Sequence, residues 1–232
     1  MSQRVVLVRH GHGPHDDRVV NYLTDAGYIP DIRKPFAGET LGDVTDDVAG
    51  TVIYGGMYNA YDTEKHPFLN EEYRWIGAAL DAGIPTLGLC QGAQMIAYHQ
   101  GKWAGRPDHG QHEFGYYEIT PTGDDPDFLP APLVVTQAHY HTFDLPTDAV
   151  HLARSETFEN QAFRIGKTVY GFQFHPEQTI EGFRRWQNEK TNSYGQPGAQ
   201  DRQTQNDLMY AHDEAQATWF YGFLSRFLGR PQ

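Results

Sequence analysis

Residues Pro85-Thr-Leu-Gly-Leu-Cys-Gln-Gly-Ala-Gln-Met-Ile-Ala-Tyr-His-Gln-Gly101 say most about the fold class of this chain. The first part is a short, mostly apolar run that is typical of a buried strand, and the part after Gly92 has the composition of a helix. At the junction, Gly88 and Gly92 flank Cys90 in a Gly-x-Cys-x-Gly pattern. That pattern is typical of a nucleophile elbow, a sharp strand-to-helix turn that exposes one reactive side chain. The stretch therefore predicts one strand–helix unit of an α/β protein.

Two similar strand–helix units come before this stretch. The first helix has Asp16 or Asp17 as its candidate N-cap and Gly27 as its candidate stop, and the second helix has Asn70 as its candidate N-cap. Three successive units predict a parallel sheet that is covered by helices on both faces. The predicted strands of this half are 4–9, 51–54 and 85–90, and the predicted helices are 16–26, one that begins at Asn70, and 93–100.

The second half of the chain is richer in strand-like runs, which lie at 113–119, 133–137, 149–155, 162–165 and 169–174. They predict antiparallel additions and a late return to the main sheet. The whole prediction is an α/β fold with an open, mostly parallel twisted sheet, helices on both faces and antiparallel additions. We expect a single domain over residues 1–232, with a polar loop or insertion at about 188–207 and an amphipathic closing helix at about 208–228.

Composition narrows the possible partners. The formal net charge of -12 disfavours nucleic acid and anionic lipid, because both would be repelled. No run approaches the roughly 18 apolar residues of a membrane span, and the N-terminus has no signal-peptide core. Cys90 is the only cysteine, so the chain can form no intrachain disulfide. We therefore expect a cytoplasmic protein that binds neither nucleic acid nor membrane.

Cys90 is the candidate nucleophile, because the start of a helix favours the thiolate form of a cysteine. The backbone N–H of Gln91, at the same helix start, can stabilise a developing oxyanion. A cysteine nucleophile also needs a base, and the base needs an orienting group. The run Val169-Tyr-Gly-Phe-Gln-Phe-His-Pro-Glu-Gln-Thr179 offers both. His175 follows a predicted strand, and Glu177 can hold one imidazole nitrogen and so set the tautomer.

Two motifs together resemble those of the class I, or triad, glutamine amidotransferases, in particular the glutaminase domain of GMP synthase and its stand-alone relatives. They are Gly-Leu-Cys-Gln-Gly-Ala-Gln at 88–94 and Phe-Gln-Phe-His-Pro-Glu at 172–177, with 85 positions between Cys90 and His175. The likeness covers about residues 5–183 and includes Val-Ile-Tyr-Gly-Gly at 52–56. The resemblance implies a flavodoxin-like fold.

The resemblance also implies a role for each matched residue. Cys90 would be the nucleophile, His175 the general base and then acid, and Glu177 the group that orients His175. The N–H groups of Gly56 and Gln91 would form the oxyanion hole. The substrate would be bound by a third set, namely the side chain of Gln94 and backbone groups at Ala138, His139 and Tyr140.

The implied reaction is hydrolysis of the side-chain amide of glutamine, or of a related γ-glutamyl amide, through a γ-glutamyl thioester. It needs no metal and no organic cofactor, and a separate synthetase chain could receive the ammonia. One alternative is a stand-alone γ-glutamyl hydrolase or peptidase, and another is a non-catalytic or partner-activated regulatory subunit. Two positions depart from the family pattern, since Met57 replaces a usual proline and His141 replaces a common aspartate.

The histidine-rich run after the first strand leaves two further alternatives open. Arg9-His10-Gly11 is typical of histidine phosphatases, although no arginine cluster for a phosphate accompanies it. The pairs His10/His12 and His139/His141 could place two imidazoles on one face of a strand and hold a metal, although the usual metallohydrolase patterns are missing. Under the amidotransferase hypothesis, this run is a loop beside the site.

Overall fold

The computed structural model describes residues 3–190 and 193–229. The strands are β1 Arg4–Val8, β2 Ile29–Arg33, β3 Val48–Ile53, β4 Thr86–Leu89, β5 Ala104–Gly105, β6 Glu113–Pro121, β7 Leu133–His139, β8 Thr142–Phe143, β9 Ala149–Arg154, β10 Ala162–Ile165 and β11 Val169–Phe172. The helices are α1 Arg18–Ala26, α2 Phe68–Asp81, α3 Gln91–His99, α4 Ile180–Glu189 and α5 Arg202–Leu228.

The main sheet of the described residues has the order β2-β1-β3-β4-β11-β10-β9-β6-β7. The first five strands in this order are parallel, and the others add antiparallel pairs at one side. The predicted fold class is confirmed, including the late return, because β11 inserts beside β4 in the parallel part. Strand β2 was not predicted. It is a half-buried edge strand with Pro30 and Asp31, so it lacks the apolar run of the central strands.

The neighbouring strands β4 and β11 bring the two sequence motifs together. Leu89 and Phe172 lie opposite each other in this parallel pair, and the next residue, Cys90, donates its backbone N–H to the Phe172 carbonyl at 2.7 Å. Because the carboxyl ends of parallel strands open on one edge of a sheet, the turn after β4 meets the loop after β11. The topology therefore places Cys90 beside the loop that contains His175.

Capping explains where the first two helices begin. Asp17 caps α1 by accepting hydrogen bonds from two backbone N–H groups, and Gly27 ends it with φ of 86°, as predicted. Helix α2, however, begins at Phe68, so the prediction of Asn70 as its cap is wrong. Pro67 takes the cap position instead, because proline is already set at the backbone angle that a helix start requires.

The polar segment near the C-terminus is shorter than predicted. Helix α4 continues to Glu189, and α5 begins at Arg202 rather than near 208. Asp201 caps α5, and Gln200 both accepts from the backbone N–H of Tyr116 and donates to its carbonyl. These side-chain bonds order a stretch whose glutamine-rich composition resembles a loop.

Apolar residues pack on both faces of the sheet, as a doubly covered sheet requires. The face covered by α1 and α5 includes Phe172, Phe220 and Phe223, and the opposite face includes Trp75 and Ile96. No helix among the described residues has both the length and the apolar character needed to cross a membrane.

Candidate active site

The backbone at Cys90 is strained in the way that an elbow requires. Cys90 has φ of 51° and ψ of -105°, and it is the only non-glycine residue with positive φ in the described part of the chain. A Cβ at Gly88 would lie 2.5 Å from the carbonyl carbon of Gly92, and one at Gly92 would lie 2.0 Å from the Ile53 oxygen. Neither glycine can therefore carry a side chain, and the predicted elbow is the observed turn.

His175 and Glu177 form a buried pair directly after β11. The Nδ1 atom of His175 lies 2.8 Å from Oε1 of Glu177. Burial alone would lower the pKa of His175, but the charges of Glu177 and Cys90, with hydrogen bonds to both, raise it to about 10. The carboxylate on one side of the imidazole and the sulfur on the other therefore favour its protonated form. Gly55 leaves room for this contact, since a Cβ there would lie 2.7 Å from Cε1 of His175 and 3.3 Å from Cβ of Cys90.

Arg18 holds the loop that contains this pair, which the sequence did not indicate. Its backbone N–H donates to the Glu177 carbonyl at 2.9 Å, and its guanidinium donates to the carbonyls of Pro176, at 3.1 Å, and Gln178. The same guanidinium pairs with Asp213 of α5 at 2.6 Å. The loop is thus fixed from α1 and α5 together, and the strand-end histidine has little freedom to move.

The turn after β3 packs against the start of α3. A Cβ at Gly56 would lie 2.5 Å from Cβ of His10 and 2.6 Å from Oε1 of Gln91. The same Gln91 oxygen accepts the backbone N–H of Tyr58 at 3.0 Å. The two residues predicted for an oxyanion hole are therefore adjacent. Met57, which departs from the family pattern, has 84% of its surface exposed and leaves this packing undisturbed.

The residues predicted to bind the substrate divide into two groups. Ala138 lines the cavity beside Cys90. Gln94 reaches the sulfur only through Gln173, which accepts from Gln94 at 3.1 Å and donates to Sγ of Cys90 over 3.5 Å. Gln173 was not predicted, although a polar residue inside an apolar strand-end run is a usable signal.

The side chains of His139 and Tyr140 point elsewhere. His139 is buried, with Nε2 3.0 Å from Glu113 and Nδ1 2.9 Å from the backbone oxygen of His141. Tyr140 is 44% exposed and lies near the ring of His112. For substrate binding, these two residues therefore offer only their backbone groups. The resemblance implied backbone groups for this role.

Arg9 and His10, the first residues of the histidine-rich run after β1, are held by contacts with other residues. Both ring nitrogens of His10 are occupied, Nε2 by Glu72 at 2.8 Å and Nδ1 by the Tyr54 carbonyl at 3.1 Å. Arg9 is paired with Asp17 and lies 3.7 Å over the Tyr54 ring. Across residues 3–190 and 193–229, no group of three or more His, Cys, Asp or Glu side chains is placed to hold a metal ion.

A cavity of about 380 Å³ joins these parts. Its walls come from the loop after β1, the turn after β3, Cys90, the His175 loop and α4. They include His10, His12, Asp16, Tyr54, Gly55, Gly56, Met57, Cys90, Ala138, His175, Glu177, Gly182, Arg185, Trp186, Glu189 and Lys190.

Comparison with known proteins identifies the family of this chain. The sequence pattern of the family described as glutamine amidotransferase class-I matches residues 18–185. The glutamine amidotransferase-like protein YfeJ of Salmonella typhimurium is 32% identical over 190 residues, which are 77% of this chain and 77% of that protein. A glutamine-hydrolysing GMP synthase subunit of Thermococcus kodakarensis is 38% identical over 96 residues, 40% of this chain and 51% of that protein.

A solved structure extends the likeness to the whole chain. A crystal structure described as a glutamine amidotransferase from Thermotoga maritima superimposes with a TM-score of 0.87 and 27% identity, and the match covers 99% of both chains. By contrast, the match to the GMP synthase subunit covers only about half of that protein. Because the family pattern covers most of the sequence, the chain belongs to the class-I glutamine amidotransferase family.

Proposed function

We propose that this protein hydrolyses the side-chain amide of glutamine, or of a related γ-glutamyl compound, through a γ-glutamyl thioester on Cys90. The observation that carries the proposal is the buried series Cys90, His175 and Glu177, in which the pKa of His175 is raised to about 10. A histidine held as a cation beside a cysteine favours the thiolate, which is the nucleophilic form.

The acylation step follows from this charge arrangement. The Cys90 thiolate attacks the amide carbon, and the carbonyl oxygen becomes an oxyanion. As the oxyanion collapses, the C–N bond breaks, and His175 gives its proton to the leaving nitrogen. The neutral imidazole then activates a water that hydrolyses the thioester, and glutamate leaves. Glu177 keeps the imidazole in position through both steps.

The surroundings of Cys90 support roles for the other predicted residues. The N–H groups of Gly56 and Gln91 would receive the oxyanion, and the packing between their turns supports this pairing. The glutamyl amino-acid end would lie against the backbone at Ala138, His139 and Tyr140, of which Ala138 lines the cavity. Gln94 would act through Gln173 and would thereby position the sulfur.

A second role, delivery of ammonia to a separate synthetase chain, is favoured by the likeness to a protein described as a GMP synthase subunit. In that case the glutaminase activity would depend on the partner. Measured turnover by this chain alone separates an independent hydrolase from a partner-activated subunit.

The test is glutamate release from glutamine and from γ-glutamyl amides by purified wild type, Cys90→Ala and Cys90→Ser. We expect turnover in wild type and a loss of at least about 10³-fold in both variants, because neither supplies a thiolate. Labelling of Cys90 by a glutamine-like electrophile provides an independent readout. No turnover and no labelling in wild type would reject the proposal for the isolated chain and favour a non-catalytic or partner-activated subunit.

A further inference from the structure

The cavity is longer than the chemistry of free glutamine requires. Gly182, Arg185, Trp186, Glu189 and Lys190 all line it. The four that belong to α4 follow the i, i+3, i+4, i+7 spacing, so they form one face of the helix, and Lys190 comes directly after it. At a rise of 1.5 Å per residue, the face from Gly182 to Glu189 extends for about 10 Å. The leaving group of glutamine is ammonia, a single heavy atom, which would leave most of this length unused.

The α4 face passes the side of the site where the leaving group departs. His175 is the proposed proton donor to the leaving nitrogen, and the Trp186 ring meets the His175 ring edge-on with centroids 4.7 Å apart. A substituent on the scissile nitrogen would therefore start beside His175 and could continue past Trp186. The α4 face would line the path of such a substituent.

The opposite wall is the histidine-rich run after β1, which takes no part in the proposed reaction. His12, Pro14 and Asp16 line the cavity there, with Met57 beside them. Asp16 pairs with Arg185 of α4 at 2.6 Å, so the two walls are held together across the groove. The groove between α4 and this run is therefore a fixed part of the cavity.

The chemistry of the walls changes along the groove. Near His175, the indole of Trp186 offers apolar surface, with Pro14 and Met57 among the other lining residues. Further along, Glu189 at the end of α4 and Lys190 directly after it add charges of both signs, and the Lys190 ammonium lies 5.1 Å from the Trp186 ring. Such a groove suits an alkyl chain that ends in a charged or polar group.

We infer that the groove between α4 and the run after β1 is a leaving-group subsite, and that the preferred substrates are γ-glutamyl amides whose nitrogen carries an alkyl chain. The inference rests on the proposed function, because it uses the same attack by Cys90. The bond that breaks is the C–N bond of a secondary amide, the nitrogen takes the proton of His175, and a primary amine leaves in place of ammonia.

The test is a homologous series in which the amide nitrogen of glutamine carries no substituent, methyl, ethyl, propyl or butyl. We expect kcat/KM to rise by about four-fold per added methylene, which is the worth of burying one CH₂ group. Longer members that end in a carboxylate or an ammonium show which charge the far end of the groove accepts. The two ends distinguish a γ-glutamyl amino acid from a γ-glutamyl diamine.

Two variants of adjacent arginines provide the matched comparison. Arg185 lines the groove, whereas Arg184 points away and donates to the hydroxyl of Tyr210. Arg185→Ala should change the ratio of kcat/KM between the charged-end amides and glutamine by about ten-fold, because it removes one charge from the groove. Arg184→Ala should leave this ratio as in wild type, and Trp186→Ala should flatten the methylene series.

The possible outcomes distinguish a failure of the proposed subsite from a failure of the proposed function. If glutamine is hydrolysed but kcat/KM stays flat or falls along the series, the subsite is rejected and the glutaminase remains. Equal changes of the ratio in Arg184→Ala and Arg185→Ala would also reject it. If no member of the series is hydrolysed and Cys90 is not labelled, the proposed function itself fails.

Discussion

The loop after β11 and the loop after β1 each contain a buried histidine that pairs with a buried glutamate at 2.8 Å. They differ at the second ring nitrogen. In the pair formed by His175 and Glu177, the glutamate takes Nδ1, and Nε2 is left for Cys90. In the pair formed by His10 and Glu72, the glutamate takes Nε2, and Nδ1 is occupied by a backbone carbonyl.

A third pair follows the second pattern. His139 contacts Glu113 through Nε2 and the backbone oxygen of His141 through Nδ1. A buried histidine–carboxylate contact is therefore not by itself a sign of catalysis in this protein. The proposed catalytic histidine, His175, is the one whose second nitrogen faces the proposed nucleophile, whereas His10 links the loop after β1 to α2 and His139 links β7 to β6.

The largest effect should come from removal of the proposed catalytic histidine. We expect His175→Asn to lower kcat/KM for the preferred amide by about 10²- to 10⁴-fold, because it removes the only proposed proton donor to the leaving nitrogen. Steady-state glutamate release measures this change, and circular dichroism confirms the fold. Activity within ten-fold of wild type would show that another group transfers the proton.

The matched change in the other loop should act on stability. His10→Asn leaves the Glu72 carboxylate buried without its partner, which should cost about 3 kcal/mol of unfolding free energy. Urea unfolding measures the loss. The double variant His10→Asn with Glu72→Gln should regain part of it, because the uncompensated charge is gone. A single variant as stable as wild type would mean that His10 is not a structural cross-link.

The remaining effect should be a difference in pH dependence. The pKa of His175 is raised from its ordinary 6.5 to about 10, so its charged contacts stabilise the fold fully below about pH 6.5. That contribution is lost as the pH rises through about 10. Urea unfolding between pH 6 and 10 should therefore show a fall in wild-type stability.

Glu177→Gln is the control for this pH effect. Its fall in stability over the same range should be shallower, because the Glu177 charge is one of the causes of the raised pKa. If the free energy of unfolding changes equally with pH in wild type, Glu177→Gln and His175→Asn, this pair does not cause the pH dependence of stability.

Local patterns in the sequence were sufficient for the fold class and for the parts of the candidate site that are close in sequence. The elbow around Cys90 was predictable because its Gly-x-Cys-x-Gly pattern occupies five consecutive residues, and a Cβ at Gly88 would clash with Gly92 inside the same turn. Histidine and glutamate two positions apart in one turn are similarly local. Edge strand β2 and the start of α5 were not predictable, because polar composition there hides elements that tertiary contacts order.

The partners of the candidate site depended on the folded chain. Glu72 is 62 positions from His10, Gln173 is 83 positions from Cys90, and Arg18 lies far from the loop that it holds. Residue types and spacing carry no information on such contacts, because sheet order and helix packing set them. The sequence alone therefore indicated which side chains could react. The packing of α1, α4 and α5 around the sheet edge set how the loop of His175 is held and where the groove beside Cys90 leads.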